Sequence, residues 1–143
     1  MKVKDCMSRN VVCVGAHEPV AVAARLMRRY NLGFLPVQAE NGQLCGVVTD
    51  RDVVLRCVAA GKLPESMQVS EIMSTGVLSI DAGQDAEAAV RLMARAQLRR
   101  LPVTQNGKLA GLLSVADFAR RSTLGMETAQ CMESICSPLI RLD

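Results

Sequence analysis

Two short segments of the sequence place a hydroxyl three residues before a carboxylate, directly after an apolar run. The segments read GVVTDRD and GLLSVAD, and they carry Thr49 with Asp52 and Ser114 with Asp117. A carboxylate can accept hydrogen bonds from two ribose hydroxyls, and a hydroxyl beside the N–H groups of a helix start favours phosphate oxygens. The same atoms can instead form a capping box, in which each side chain accepts from the other residue's backbone N–H. The two roles are compatible, since an empty site keeps its caps.

A second candidate site combines a cysteine with the single histidine of the sequence. Cys13 and His17 lie four residues apart in a segment that leaves a predicted strand. This spacing allows both side chains to reach one Zn²⁺, which needs four ligands in a structural site. Cys136 is the candidate third ligand, and Cys131 or Cys6 is the candidate fourth. The alternative is that Cys13 packs in the core and His17 is an exposed loop residue.

Composition limits the class of protein. Half of the 143 residues are apolar, which is enough for a packed core, and the net charge is only +3. With one Tyr, two Phe and no Trp, the protein lacks the stacking residues of many nucleic-acid-binding surfaces. No apolar run approaches the roughly 20 residues of a membrane span, and the start MKVKDCMSRN does not resemble a signal peptide. We therefore expect a cytoplasmic protein whose six cysteines are mostly reduced.

One sequence pattern occurs twice in the protein. An offset of 66 residues superposes the two MS, LM and LPV segments, and an offset of 65 superposes the two NG dipeptides and places Gly46 on Gly111. The one-residue difference falls between VQAENG and VTQNG, where a surface turn tolerates it. The match covers most of the sequence, and it indicates an internal duplication.

Each copy predicts the same order of elements. Apolar runs at residues 11–14 and 77–80 predict a first strand, and apolar spacing near 3.6 predicts a helix after each of them. Asp85 is the expected N-cap of the second of these helices. Two strands joined through Asn-Gly follow, and a second helix begins near residue 50 and again near residue 115. The repeated unit is β-α-β-β-α.

The duplication predicts an α/β (α+β) fold of two units. Because about 60 residues bury too little surface to be stable alone, we expect the units to pack through their sheets around a pseudo-twofold axis. The predicted domains are residues 1–66, residues 67–125 and a C-terminal extension over residues 126–143. Residues 61–70 are the expected linker. The prolines of the two LPV segments lack a ladder donor and should lie at a strand edge or end.

The whole arrangement resembles paired cystathionine β-synthase (CBS) domains, the Bateman module, from about residue 3 to residue 122. The resemblance rests on LPV before the hairpin and G-h-h-[ST]-x-x-D after it, where h is apolar. The tail ICSPLI and the Cys and His after the first strand also resemble small bacterial stand-alone CBS-pair proteins of the hypoxic-response type. The resemblance implies a sensor that binds AMP, ADP, ATP or S-adenosylmethionine in the cleft between the units. It also implies a homodimer formed through the CBS helices.

The resemblance assigns roles to individual residues of this protein. Asp52 and Asp117 would hydrogen-bond ribose hydroxyls, and Thr49 and Ser114 would contact phosphate. The apolar residues that would sandwich the adenine are Leu35, Pro36, Leu101 and Pro102.

The two copies differ between the hydroxyl and the carboxylate. Asp50 and Arg51 stand there in the first copy, where the second copy has Val115 and Ala116. Arg51 can clamp a phosphate in a way that the second copy cannot reproduce. We therefore expect the two clefts to differ in affinity.

The sequence shows no nucleophile–base pair and no glycine-rich nucleotide-transfer motif, so we expect no enzymatic activity. The first hypothesis is a non-enzymatic adenosine-ligand sensor whose regulated protein partner the sequence does not identify. The alternative is a zinc- or thiol-responsive structural dimer with vestigial nucleotide clefts. A third possibility is a dimeric scaffold that binds neither ligand.

Overall fold

The computed structural model describes residues 1–119. The elements of this part of the protein are, in order, α1 (Val3–Cys6), β1 (Val14–Gly15), α2 (Val20–Tyr30), β2 (Phe34–Gln38), β3 (Leu44–Thr49), α3 (Asp50–Val53) with a π-helical continuation (Val54–Val58), a 3-10 turn (Val69–Glu71), β4 (Ile80–Asp81), α4 (Ala86–Ala96), β5 (Arg100–Gln105), β6 (Lys108–Ser114) and α5 (Val115–Ala119). No helix among these residues has the length and apolar content to span a bilayer. The predicted β-α-β-β-α order is present in both copies.

The strands form two three-stranded sheets in the described residues, ordered β1-β2-β3 and β4-β5-β6. In the first sheet β1 runs parallel to β2, and β2 runs antiparallel to β3. The strands predicted at residues 11–14 and 77–80 are much shorter than expected. They are shorter because pairing with the hairpin begins only at Val14 and Ile80. The predicted α/β class is confirmed.

Pro36 lies in the middle of β2, the central strand of its sheet, rather than at a strand end. It pairs with Val47 on β3, but the ladder with β1 starts one residue later, at Val37. The sheet is therefore two-stranded at Pro36. The missing N–H of the proline lies on a locally open edge, which explains why it is tolerated.

The protein divides into two compact units that do not follow the order of the sequence. The first-copy unit comprises residues 11–78 and 107–109. The second-copy unit comprises, within the described residues, 1–10, 79–106 and 110–119. Residues 1–10, which precede the first copy, therefore belong to the second-copy unit. Residues up to 78, which precede the first strand of the second copy, belong to the first-copy unit. The domain boundaries at residues 66 and 125 follow the duplication and stay a prediction.

Each unit has its own hydrophobic core. The first-copy core contains the buried residues Val14, Ala16, Val20, Ala23, Met27, Leu35, Val37, Val48, Cys57, Val69 and Ile72. The second-copy core contains Val3, Cys6, Ile80, Ala82, Ala86, Ala89, Val90, Met93, Leu101, Val103, Leu113 and Phe118. Aliphatic side chains at helix and strand spacing dominate both sets, as the scarcity of aromatic residues requires.

The first N–H groups of α2 and α4 donate to backbone carbonyls that are distant in sequence, and in α4 the Ala86 N–H donates to the Met1 carbonyl at 2.8 Å. The N–H groups of Val20 and Ala21 donate to carbonyls in residues 61–70, at 2.7 and 2.9 Å. The predicted linker is thus packed against α2 within the first-copy unit. Asp85 occupies the N-cap position of α4 as predicted, but its side chain makes no cap hydrogen bond. The carboxylate instead pairs with Lys2 Nζ at 3.0 Å.

Candidate functional site

The first hydroxyl–carboxylate pair lies at the junction of β3 and α3. Thr49 is extended, and Asp50 begins the helix. The Asp52 N–H donates to Thr49 Oγ1 at 3.1 Å, and the Thr49 N–H donates to Asp52 Oδ2 at 2.9 Å. The Asp50 N–H donates to the Gly33 carbonyl at 3.0 Å and ties the helix start to the segment before β2. The capping-box alternative is therefore realised in the first copy.

The second pair repeats this geometry at the junction of β6 and α5. The Ser114 N–H donates to Asp117 Oδ2 at 2.7 Å, and the Asp117 N–H donates to Ser114 Oγ at 3.3 Å. The Val115 N–H donates to the Arg99 carbonyl at 3.2 Å, as Asp50 does to Gly33. Two sequences that share only the hydroxyl and the carboxylate thus build the same helix start.

Asp52 uses its two carboxylate oxygens differently. Oδ2 accepts the Thr49 N–H, whereas Oδ1 lies 3.8 Å from Arg56 Nε in a loose ion pair. The Asp52 side chain is 14% exposed, and the Arg56 side chain is 53% exposed. Arg56 Nη1 also donates to the Ile72 carbonyl at 3.1 Å. Oδ1 can therefore accept a ligand hydroxyl while Oδ2 keeps its cap.

Asp50 and Arg51 are exposed at the first turn of α3. Asp50 Oδ1 accepts the Arg51 backbone N–H at 2.9 Å. Within residues 1–119, the Arg51 guanidinium has no carboxylate within ion-pair distance, so its charge is available to an anion. Val115 and Ala116 supply no such cation at the matching turn of the second copy.

The four apolar residues expected around an adenine are buried. Leu35 and Leu101 have no exposed surface and belong to the two hydrophobic cores. Pro36 and Pro102 follow them on the opposite face of each strand, and they are buried as well. The leucines therefore serve the cores, and a base could contact only the proline face of these strands. Their assignment as ligand contacts stays a prediction.

The glycine of each repeated phrase contacts a Met-Ser segment within the same compact unit. A Cβ on Gly46 would lie 2.7 Å from Met73 Sδ and 2.8 Å from the Ser74 carbonyl oxygen. A Cβ on Gly111 would lie at matching distances from Met7 and Ser8. Ser74 also exchanges backbone hydrogen bonds with Val47, at 2.9 and 3.0 Å.

These contacts explain why the two MS segments recur with the repeat. The glycine is required because the backbone of the Met-Ser segment lies against its Cα. The sequence shows that the two methionines recur at a fixed offset, but it does not identify the surface they cover. The equal offset of the MS segments and of the LPV segments was the signal that linked them to the strands.

Cys13 and His17 lie on the same groove of the first-copy unit, but they contact different residues. Cys13 Sγ donates to Gln38 Oε1 at 3.2 Å, and His17 Nδ1 lies 3.4 Å from Gln68 Oε1. The groove has a volume of about 510 Å³ and is lined by residues 13–18 and 38–40. It lies at the Gln38 end of β2, whereas Thr49 pairs with Phe34 at the other end.

Burial raises the pKa of the Cys13 thiol, and the negative charge of Glu18 raises it further. Glu18 is held in place because its Oε2 accepts the Gly15 N–H at 2.8 Å. A raised pKa keeps the sulfur protonated near neutral pH, whereas zinc requires the thiolate. A bound cation would have to reverse this preference by displacing the proton.

The described residues alone do not complete a zinc site. Among residues 1–119, no group of three or more His, Cys, Asp or Glu side chains is arranged to hold a metal ion. Cys136 and Cys131 lie outside the described residues. Cys6 is buried in the second-copy core, where its Sγ contacts the Lys2 carbonyl at 3.4 Å. None of the described cysteines, 6, 13, 45 and 57, forms a disulfide bond.

The duplicated unit and its two equivalent helix starts agree with a family comparison. The CBS domain matches residues 3–58 and residues 69–123. The chain belongs to the CBS-domain family. Hypoxic response protein 1 from Mycobacterium tuberculosis is 34% identical to this CBS pair over 136 residues, which cover 95% of the present sequence and 94% of the relative.

Two solved CBS-pair structures are described with ligands. Hypoxic Response Protein I, described with two coordinated zinc ions, superposes with a TM-score of 0.77 at 34% identity. The alignment covers 85% of this protein and 98% of that one. CBSX2, described in complex with AMP, superposes with a TM-score of 0.73 at 28% identity. That alignment covers 85% of this protein and 96% of CBSX2.

Proposed function

We propose that this CBS pair is a non-enzymatic regulatory module that binds an adenosine ligand, AMP, ADP, ATP or S-adenosylmethionine. Asp52 and Asp117 accept ribose hydroxyls, and Thr49 and Ser114 face the phosphate. The observation that carries the proposal is the repetition of one helix start, with the same two side chains and the same bonds, in both copies. The AMP complex described for CBSX2, at 28% identity, supports the ligand class.

The first-copy site has the better chemistry for a phosphorylated ligand. Arg51 offers a cation at the start of α3, and Asp52 Oδ1 is held only by a loose contact with Arg56. A ribose hydroxyl that donates to Oδ1 competes with Arg56. Since Arg56 also donates to the Ile72 carbonyl, ligand binding acts on the contact between this helix and the segment before the second copy. The ligand shifts the state of the module only through its different affinities for the two arrangements.

Native mass spectrometry of the purified full-length protein tests the ligand class. We expect the protein to carry, or to take up when it is offered, the mass of one of the four adenosine ligands. The uptake should be lost when Asp52→Asn and Asp117→Asn are combined, because an amide cannot replace the two acceptor oxygens. Asparagine can still accept the backbone N–H, so the variant keeps its caps. Equal uptake by the variant would contradict the site.

We also propose a homodimer that forms through the CBS helices. The π-helical continuation of α3 exposes three apolar side chains, Val54, Leu55 and Val58. Tyr30, at the end of α2, is 47% exposed. A helix that presents apolar residues to solvent in this way is a candidate for burial against a second copy. A cytoplasmic location stays a prediction, and the sequence does not identify a regulated partner.

A zinc-responsive dimer is the second candidate function. It is favoured by the groove that Cys13, His17 and Glu18 share and by the zinc ions described for Hypoxic Response Protein I, at 34% identity. Cys136 would be the further ligand. Metal analysis of the wild type beside Cys13→Ser and His17→Ala distinguishes this candidate. Equal zinc content in all three proteins would exclude Cys13 and His17 as ligands.

A further inference from the structure

Each hairpin of the protein turns through an Asn-Gly dipeptide that the proposed function does not use. Asn41 and Gly42 lie in the loop between β2 and β3, whereas Asn106 and Gly107 alone join β5 to β6. An asparagine before glycine is open to attack on its Cγ atom by the next backbone nitrogen, because glycine neither shields that nitrogen nor restricts its backbone. Both asparagines are exposed, so solvent access does not distinguish them.

Hydrogen bonds protect the first dipeptide. The Gly42 N–H donates to the Ala39 carbonyl at 3.0 Å, and Asn41 Oδ1 accepts the Gln43 N–H at 3.0 Å. The attacking nitrogen and the carboxamide that it must reach are therefore each held by a separate bond. Both bonds must open before the nitrogen can approach the side chain of Asn41.

The second dipeptide lacks this protection. Asn106 and Gly107 have φ values of 54° and 78°, as a two-residue type I′ turn requires. Within residues 1–119, neither the Gly107 N–H nor the Asn106 carboxamide has a hydrogen-bond partner. The Gly107 carbonyl accepts the Leu44 N–H at 3.3 Å, and the Gly42 carbonyl accepts the Leu109 N–H at the same distance, so this bond is common to both dipeptides and does not distinguish them. Attack at Asn106 therefore requires no bond of the attacking N–H or of the carboxamide to open.

We propose that Asn106 is a site of spontaneous deamidation in the folded protein and that Asn41 is protected. The Gly107 nitrogen loses its proton to solvent and forms a bond to Asn106 Cγ. The bond between Cγ and Nδ2 breaks, and Nδ2 takes up a proton and leaves as ammonia. The resulting cyclic imide adds one water molecule and opens at either carbonyl to aspartate or isoaspartate. No electrons are transferred, and water is the only co-reactant.

The product changes both the charge and the backbone at the hairpin tip. Either product places a new carboxylate two residues before Lys108. Isoaspartate also adds a methylene group to the backbone of a two-residue turn, which such a turn does not accommodate without shifting its strands. The modified protein should therefore have a less stable β5–β6 hairpin.

Peptide mapping after incubation of the folded full-length protein tests this assignment. The protein is held at mildly alkaline pH in heavy-oxygen water, returned to ordinary water and digested with trypsin. Cleavage after Arg100 and Lys108 releases a peptide in which Asn106 is the single asparagine. Asn41 lies in the peptide 30–51, where fragmentation separates it from Asn31. Each deamidation incorporates one heavy oxygen from the water that opens the imide.

We expect label at Asn106 to accumulate on the order of tenfold faster than at Asn41, because the bonds of the Gly42 N–H and of Asn41 Oδ1 must open first and have no counterpart at Asn106. In denaturant the two rates should approach each other, since both sites then have the same Asn-Gly chemistry. Equal rates in the folded protein, or faster labelling at Asn41, would overturn the proposal. A rate difference that persists unchanged in denaturant would also overturn it.

Discussion

Thr49 and Asp52 hydrogen-bond to each other in both directions at the start of α3. The Asp52 N–H donates to Thr49 Oγ1 at 3.1 Å, and the Thr49 N–H donates to Asp52 Oδ2 at 2.9 Å. The residues proposed to bind ligand therefore also hold the helix in place. Variants that remove either of these groups alter stability and binding together. Experiments on this site must use substitutions that preserve one role and remove the other.

Thr49→Ala should destabilise the protein by about 1 kcal/mol, because the Asp52 N–H loses its acceptor at the helix start. Thr49→Ser is the matched control, since its hydroxyl can occupy the same position. Urea unfolding of the two variants beside the wild type gives the free energies of unfolding. Equal loss in both variants would show that the threonine methyl group, and not the cap, stabilises this junction.

Gly46→Ala should cost about 1–3 kcal/mol, because the new methyl group overpacks a closely packed contact. A Cβ there would lie 2.8 Å from the Ser74 carbonyl oxygen, and that backbone cannot move like a flexible side chain. Gly15→Ala is the control, since its Cβ would be 3.4 Å from Glu18 Cγ. Thermal unfolding measures the stability of both variants. A Gly46→Ala variant as stable as Gly15→Ala would contradict the packing of the Met-Ser segment on β3.

The Cys13 thiol should react with iodoacetamide with a pH midpoint above its ordinary pKa of 9.0, because burial and then Glu18 raise that pKa. The protonated thiol is the form that folding favours. This contribution to stability is present below the ordinary pKa and is lost as pH rises through the raised value. Peptide-resolved alkylation across pH measures the midpoint. A midpoint at or below the ordinary value would contradict the described environment of Cys13.

Glu18→Gln separates the two causes of the raised Cys13 pKa. The substitution removes the negative charge and keeps an oxygen that can accept the Gly15 N–H. We expect the Cys13 midpoint to fall but to remain above the ordinary thiol value, since burial persists. Cys45 is the internal control, because burial also raises its pKa and Glu18 is not among the causes. An equal shift at both thiols would indicate a general loosening of the unit.

Val58→Glu, alone or with Val54→Glu, should convert the proposed dimer into a monomer, because it places a charge on an apolar surface that the dimer would bury. Val58 is 62% exposed, so the charge costs little in a folded monomer. Leu78→Ser changes an exposed apolar residue outside the helices and should leave the dimer intact. Sedimentation velocity measures the oligomeric state of each variant. Dimers in all variants would place the interface elsewhere.

The fold could be predicted from the sequence because each strand and helix has a sequence signal in both copies. A strand or helix signal that recurs at a fixed offset rarely arises by chance, and both copies gave the same order. The segment that precedes each copy packs in the compact unit of the other copy, and this could not be predicted. Periodicity indicates which residues are buried, but it does not indicate which copy they pack against. Val3 and Val69 each stand in a segment with several polar residues, yet they complete the cores of opposite copies.

The candidate site was predictable in its polar part and not in its apolar part. Thr49 and Asp52 follow from spacing, because a cap and a binding site need the same two residue types at the same separation. Leu35 could not be assigned from the pattern, since an apolar residue in a strand can face either a core or a ligand, and here it faces the core. Asp85 marks the helix start correctly but pairs with Lys2, which lies far away in sequence.

Isothermal titration of the full-length protein with each of the four adenosine ligands tests the central proposal most directly. The wild type should bind at least one of them, and the combined Asp52→Asn and Asp117→Asn variant should bind it at least about tenfold more weakly, a loss of about 1.4 kcal/mol. Arg25→Gln, which removes an exposed charge from α2, should bind like the wild type. Unchanged affinity in the double variant, or no binding of any of the four ligands by the wild type, would contradict the account.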